Sequence, residues 1–229
     1  MYNEIIYRPI FNALVAIYNT AAFQDFGVAV IVLTIAIRVL LFPLTYKAGV
    51  SQIKLQRIQP KLKEIQDRYA DDKMRLSNEM LSLYKEHGVN PLGGCLPILL
   101  QLPIFIALYS AFSGAFQPES LKALYSFVTN PGAIHTTAFG FLDLTKSSIV
   151  LALVAGALQY LQARFTMQMS APQADDPAAM MSKQMLYFFP ILLIVISYKL
   201  PVGLVIYFIT SAAWSILEQR VIRFLYARS

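Results

Sequence analysis

The chain has 229 residues, 57% of them hydrophobic and only 14% charged, with a formal net charge of +6 and a mean hydropathy of +0.54. Soluble domains carry about 25% charged residues, so the composition excludes an ordinary soluble fold and points to an integral membrane protein. The single cysteine, Cys95, excludes an internal disulfide and a four-cysteine metal site, and the two histidines, His87 and His135, lie in separate polar segments.

Residues 1–22 open the chain without a basic region or a small-residue cleavage site, so no secretory signal is expected. Ile6, Ile10, Leu14 and Ile17 recur at helical spacing, with Glu4, Arg8, Asn12 and Asn19 opposite. This pattern predicts an amphipathic helix lying in the membrane interface. Residues 23–45 are the first predicted span. Thirteen of the nineteen residues from Phe26 to Leu44 are Leu, Ile, Val or Phe. They supply about −4 to −8 kcal/mol of insertion free energy, against about +2.5 to +3.5 for the one arginine, Arg38. The span inserts in spite of an expensive charge.

Residues 46–91 change character, with nine Lys/Arg between Thr45 and Leu92. Two seams, Leu55-Ile58-Leu62-Ile65-Tyr69 and Leu76-Met80-Leu83-His87, flank Asp71 and Asp72, which suit a helix N-cap. The expectation is a two-helix cytoplasmic hairpin, kinked at Pro60. Residues 92–113 form a second span containing Pro97, Pro103 and Gln101; residues 114–146 form a loop with a short amphipathic piece (Leu121, Leu124, Phe127, Val128) and an Asn130-Pro131-Gly132 turn. Residues 147–166 are a third span bearing Gln159 and Gln162. A polar loop over 167–183 follows, flanked by Met167, Met169, Met180 and Met181. Residues 184–198 and 204–225 are the fourth and fifth spans, and 226–229 a short tail.

Fourteen Lys/Arg fall on the hairpin side of these spans and four on the other. The positive-inside rule then places the N-terminus outside and the C-terminus in the cytoplasm. No acidic residue lies at the depth of Arg38, so it must meet water, backbone carbonyls or a ligand, or snorkel to the inner interface. Thr34 shares its helical face, and Tyr207, Ser211, Trp214 and Glu218 step along one face of the last span. With Gln101, Gln159 and Gln162 they line an inward-open polar cavity if those faces converge; singly, each also reads as helix–helix glue. No catalytic constellation, phosphate loop or metal-ligand pattern is present, so neither an enzyme nor a cofactor is expected.

The segments TIAIRVLLFPLTYK, DDKMRLSNEMLSLYKEHGVNPLGGCLPILLQLPIFIALY and LPVGLVIYFITSAAWSILEQR resemble the YidC/Oxa/Alb-type membrane protein insertases. The resemblance covers residues 5–225. It implies an all-α membrane protein, with five transmembrane helices around an inward-open hydrophilic groove, plus the cytoplasmic hairpin and the N-terminal interfacial helix. It places groove roles on Arg38, Thr34, Gln101 and Tyr207. The implied function is insertion and folding of nascent membrane proteins in the bacterial inner membrane. The implied partners are nascent chains and the bilayer, with the ribosome and the Sec translocon as further candidates and no DNA. Ser211-Ala212 stands where many members have Ser-Asn, no large extracytoplasmic domain is expected, and the tail lacks a long basic stretch for the ribosome. The alternative from another class is a small channel or transporter using the same cavity.

Overall fold

The computed structural model describes residues 3–90, 96–116, 118–167 and 177–228. Its described residues are mostly helical. A π-helical turn, Asn3–Tyr7, leads into α1 (Arg8–Asn19), followed by α2 (Phe26–Arg57), α3 (Gln59–Arg68), α4 (Lys73–Glu86), α5 (Leu96–Ala115), α6 (Ile149–Met167), α7 (Pro177–Lys199) and α8 (Val202–Arg228). The helices α2, α6 and α8 are long and apolar enough to cross a membrane, and the stretches Leu100–Ala115 and Leu186–Lys199 are shorter apolar helices. The Met-flanked loop falls largely on residues 168–176, and the middle of the NPLGGCLP segment on 91–95; both lie outside the described residues.

A bilayer-facing surface explains the exposure pattern. On α7, Tyr187, Phe188, Ile191, Val195 and Tyr198 are each more than half exposed. An apolar stripe of that size would be an aggregation hazard in water, but it costs nothing against acyl chains.

The helix α2 continues without interruption through Pro43 to Arg57, carrying the first span directly into what the sequence assigned to the hairpin. The break comes at Ile58, and Pro60 then sits in the first turn of α3, where its missing N–H would have been unpaired in any case. Pro60 therefore opens the next helix instead of kinking the arm. Asp72 caps α4 by accepting from the Arg75 backbone N–H at 3.0 Å. Ile58, Leu62, Leu83 and Val89 form a small core of the hairpin, separate from the main one.

The main core is formed by residues at one end of the bundle. It contains Phe26, Ala29, Val30 and Leu33 from α2, Leu108, Ala111, Phe112 and Ala115 from α5, and Val202, Leu204, Ile206 and Tyr207 from α8. Phe11, Leu14, Val15 and Tyr18 of α1 close it. The face of α1 that is buried is rotated from the one expected: Ile6, Ile10 and Ile17 are only half-buried, and Asn12 is 2% exposed. Asn12 is inside because the 3-10 helix Pro118–Ala123 and the segment after it bring backbone groups within its reach. Its amide donates to the carbonyls of Arg8 (2.8 Å) and Ala123 (3.2 Å) and accepts from the Tyr125 N–H (2.6 Å). Asn12→Ala should cost about 1–3 kcal/mol, because it strands buried backbone partners. A lowered melting temperature in detergent, with faster amide exchange at Tyr125, would show it; an unchanged melting temperature would refute it.

The loop between α5 and α6 contains an element the sequence did not reveal, a two-residue antiparallel ladder pairing Thr137 with Asp143 and Ala138 with Leu142. Its tip, Phe139-Gly140, has positive φ at both residues, as a tight two-strand turn requires. Asp25 anchors it: one carboxylate oxygen caps α2 by accepting from Val28 N–H (3.0 Å), and the other accepts from Phe139 N–H (2.5 Å). Gly27 lets the ladder approach, since a Cβ there would lie 2.6 Å from that of Ala138. In the expected amphipathic piece of this loop, Leu121 and Val128 are buried, but Phe127 is 80% exposed.

The helices α6 and α7 pack closely at Gly156, where a Cβ would collide with Ile194 and approach the Pro190 carbonyl. Tyr160 stacks on Tyr187 one turn further along. Gly156→Val should therefore destabilise by about 1–3 kcal/mol through overpacking. Reduced heat stability in detergent with α7 preferentially opened to protease is the expected readout; wild-type behaviour on both counts would contradict it.

Candidate functional site

Immediately beyond Leu33 on α2, before Leu108 on α5 and after Tyr207 on α8, the packed hydrocarbon gives way to polar side chains. Thr34 is 1% exposed, and its hydroxyl donates to its own helix at the Val30 carbonyl, 2.6 Å away. One turn on, Arg38 is half-buried. Its Nη2 donates to the Gln101 side-chain oxygen at 2.8 Å, and the Gln101 amide nitrogen donates in turn to the Tyr207 hydroxyl. Three helices thus meet in one chain of hydrogen bonds, Arg38 to Gln101 to Tyr207.

The geometry follows from the helical repeat. The four-residue step from Thr34 to Arg38 puts both on one face of α2. On α8, Tyr207, Ser211 and Glu218 are buried and Trp214 is half-buried. The Ser211 hydroxyl and the Trp214 indole nitrogen are buried on the same face, Ser211 beside the Tyr207 hydroxyl and Trp214 beside the Glu218 carboxylate.

Among the described residues no ion pair includes Arg38; the pairs present are Arg8–Glu4, Arg75–Asp72 and Lys146–Asp143. The arginine's partner is a neutral amide, a partner the sequence reasoning did not consider. Its positive charge is not compensated by direct contact with a carboxylate among the described residues. Glu218 is 7% exposed and accepts from the Thr45 hydroxyl. Thr45 was not anticipated. Its signal was available, because Thr45 follows Arg38 by two helical turns on the same helix and Glu218 continues the Tyr207 face.

Two further amides are carried by α6. Gln159 and Gln162 are half-buried on α6, and no described hydrogen bond joins either to the Arg38 chain. Near them α6 is held to α8 by Gln219 donating to the Thr166 hydroxyl and by Arg223 donating to the Phe165 carbonyl at 2.6 Å. Along the other seam, α2 and α8 are matched by Gly49 under Ile222 and by the Arg57 guanidinium over the Tyr226 ring at 4.8 Å.

The sequence matches the family described as 60Kd inner membrane protein over residues 17–228. The chain belongs to that family. It is 37% identical over 195 residues to a protein of Fusobacterium nucleatum named Membrane protein insertase YidC, covering 85% of this chain and 84% of that one. Proteins of the same name from Wolinella succinogenes and Histophilus somni are each 36% identical, over 212 and 220 residues, covering 93% and 95% of this chain. This chain spans 36% of the length of each of those two. As a member of the 60Kd inner membrane protein family it is an inner membrane protein with several membrane-crossing helices. The names of these relatives are those of insertases and give no support to a channel or transporter.

Proposed function

We propose that this chain is an insertase that passes the polar segment of a nascent membrane protein partway into the bilayer at Arg38, while the client's apolar helix leaves sideways into lipid. The observation that carries this reading is the half-buried Arg38 guanidinium, bound to an amide and to no carboxylate, at the edge of a one-sided hydrophobic core. A buried cation is costly unless it is paired. A client's carboxylate supplies the missing pair, and a charge-assisted hydrogen bond is about twice as strong as a neutral one.

In this reading α2, α5, α6, α7 and α8 are five spans around a hydrophilic groove, with the N-terminus outside and the C-terminus in the cytoplasm. The groove wall is formed by Arg38, Thr34, Gln101, Tyr207, Ser211 and Trp214, with Gln159 and Gln162 toward the cytoplasmic end of α6. The α3–α4 hairpin, with Met74 and Leu81 exposed, gives first contact to the arriving chain, and α1 lies at the outer interface. Burial of the client's apolar helix in lipid drives the step, so no energy cofactor is required. The ribosome and the Sec translocon are candidate partners.

Photo-crosslinkers at positions 101 and 207, with a ribosome-stalled membrane protein as client, test this. Crosslinks to the client that shift along its sequence as the stall point moves are expected. Crosslinks only from lipid-facing positions such as Leu102 would overturn the groove.

A further inference from the structure

A second feature lies apart from the Arg38 chain. A cavity of about 490 Å3 is lined by Ile31 of α2, Val150 and Leu151 of α6, Ile206 and Ile209 of α8, and the tip of the β1 (Thr137–Ala138) and β2 (Leu142–Asp143) ladder at Phe139 and Phe141. Its wall is almost wholly apolar. Even Thr210 presents its methyl group, because its hydroxyl is taken by the Ile206 carbonyl at 2.8 Å.

We propose that this cavity holds one acyl chain of a phospholipid, with the headgroup phosphate at Lys146 and Ser148. Depth is the first argument. The lining residues Ile31, Val150, Leu151, Ile206 and Ile209 lie within the first seven or so residues of their helices, about 10 Å of rise. That is the part of a leaflet just below the headgroups. The rim is open to the side: Val150 is 64% exposed and Phe141 81%. In a membrane the apolar material beside such a rim is an acyl chain.

Depth and roof decide against a helix. The lining covers about 10 Å of helix rise, whereas a span needs about twenty residues, or about 30 Å. The Phe139–Phe141 ladder tip also covers the end through which a spanning helix would have to continue. A flexible chain that enters from the side needs no such exit.

Charge supports the headgroup end. Ser148 lines the cavity, and the side chain of Lys146, two residues earlier, is 78% exposed with its ammonium 3.2 Å from Asp143. An exposed pair of that kind is worth little, so the ammonium is available to a phosphate. Phe139 and Phe141 extend the apolar wall to that end of the cavity.

The test uses the full chain in nanodiscs of phosphatidylglycerol carrying a photoactivatable acyl chain, with labelled positions mapped by mass spectrometry. Labelling of residues 148–151 and 206–210 at least about fivefold above the bilayer-facing α7 positions Ile191 and Val195 is expected. Ile209→Trp should abolish the excess while leaving α7 labelling unchanged, and Val150→Trp, at the exposed rim, does the same without touching a buried position. Lys146→Glu should lower the excess at least about threefold. Equal labelling of cavity and α7, or labelling that survives both tryptophans, overturns the proposal. So does efficient crosslinking of a stalled client chain from positions 150 and 209.

Discussion

Arg38→Ala is expected to abolish insertion of clients whose translocated segment is acidic, while Arg38→Lys retains most of it. The alanine variant removes the cation that Gln101 holds and leaves the Gln101 amide oxygen without its donor at 2.8 Å. A hydrogen bond to a charged group is worth about 1.5–3 kcal/mol, which corresponds to roughly 10- to 150-fold in a binding equilibrium. Lysine keeps the charge but not the planar fork, so it still attracts a carboxylate while losing the bond geometry to Gln101. The measurement is insertion of a client series, with acidic, neutral and basic translocated tails, in cells depleted of their own insertase. The defect of Arg38→Ala should grow with tail acidity. A defect independent of tail charge, or a lysine variant as poor as alanine, would assign Arg38 to structure and not to client capture.

Phe26→Ala should be the most damaging substitution for stability among the core positions. Phe26 is completely buried and its ring touches Tyr18, Phe112 and Phe116 at centroid distances of 6.1, 5.9 and 5.4 Å. It thereby joins α1, α2 and α5. Truncating a buried phenylalanine costs about 3–5 kcal/mol. The expected result is a large drop in melting temperature in detergent, with α1 becoming protease-sensitive before the long helices do. Loss of less than about 1 kcal/mol would mean that the three elements are joined mainly elsewhere. Phe26→Leu, which keeps most of the volume, should recover the larger part.

The membrane class and the long helices were legible because they depend on composition and on runs of apolar residues, both local properties. Asp72 was legible as a cap for the same reason: its acceptor and its donor are three residues apart. The face of α1 was misassigned because Asn12 looks polar from the sequence, and only the distant Ala123 and Tyr125 backbone gives its amide a reason to be inside. The β-ladder was missed because two paired residues carry no periodicity; its support is Asp25, more than a hundred positions away. Arg38 and Gln101 were each singled out as intramembrane polar residues, since such residues are expensive and therefore informative. Their direct bond was not predicted, because sequence spacing fixes faces on one helix and says nothing about the rotation of one helix against another. Gln159 and Gln162 were singled out on the same ground, and α6, which carries them, packs on α7 and on α8, the helix that bears Tyr207.

The placement of the hydrophobic core has a consequence for the cell's energy supply. From Phe26 to Leu33 the seam between α2, α5 and α8 is packed hydrocarbon, about 10 Å of helix rise, with the rings of Phe112 and Phe116 against Phe26. A hydrated sodium ion or a proton arriving at Arg38 from the hairpin side would have to shed its water to go further, a step costing tens of kcal/mol for an unpaired charge. That seam therefore insulates, so the groove proposed above would not discharge the electrochemical gradient across the membrane.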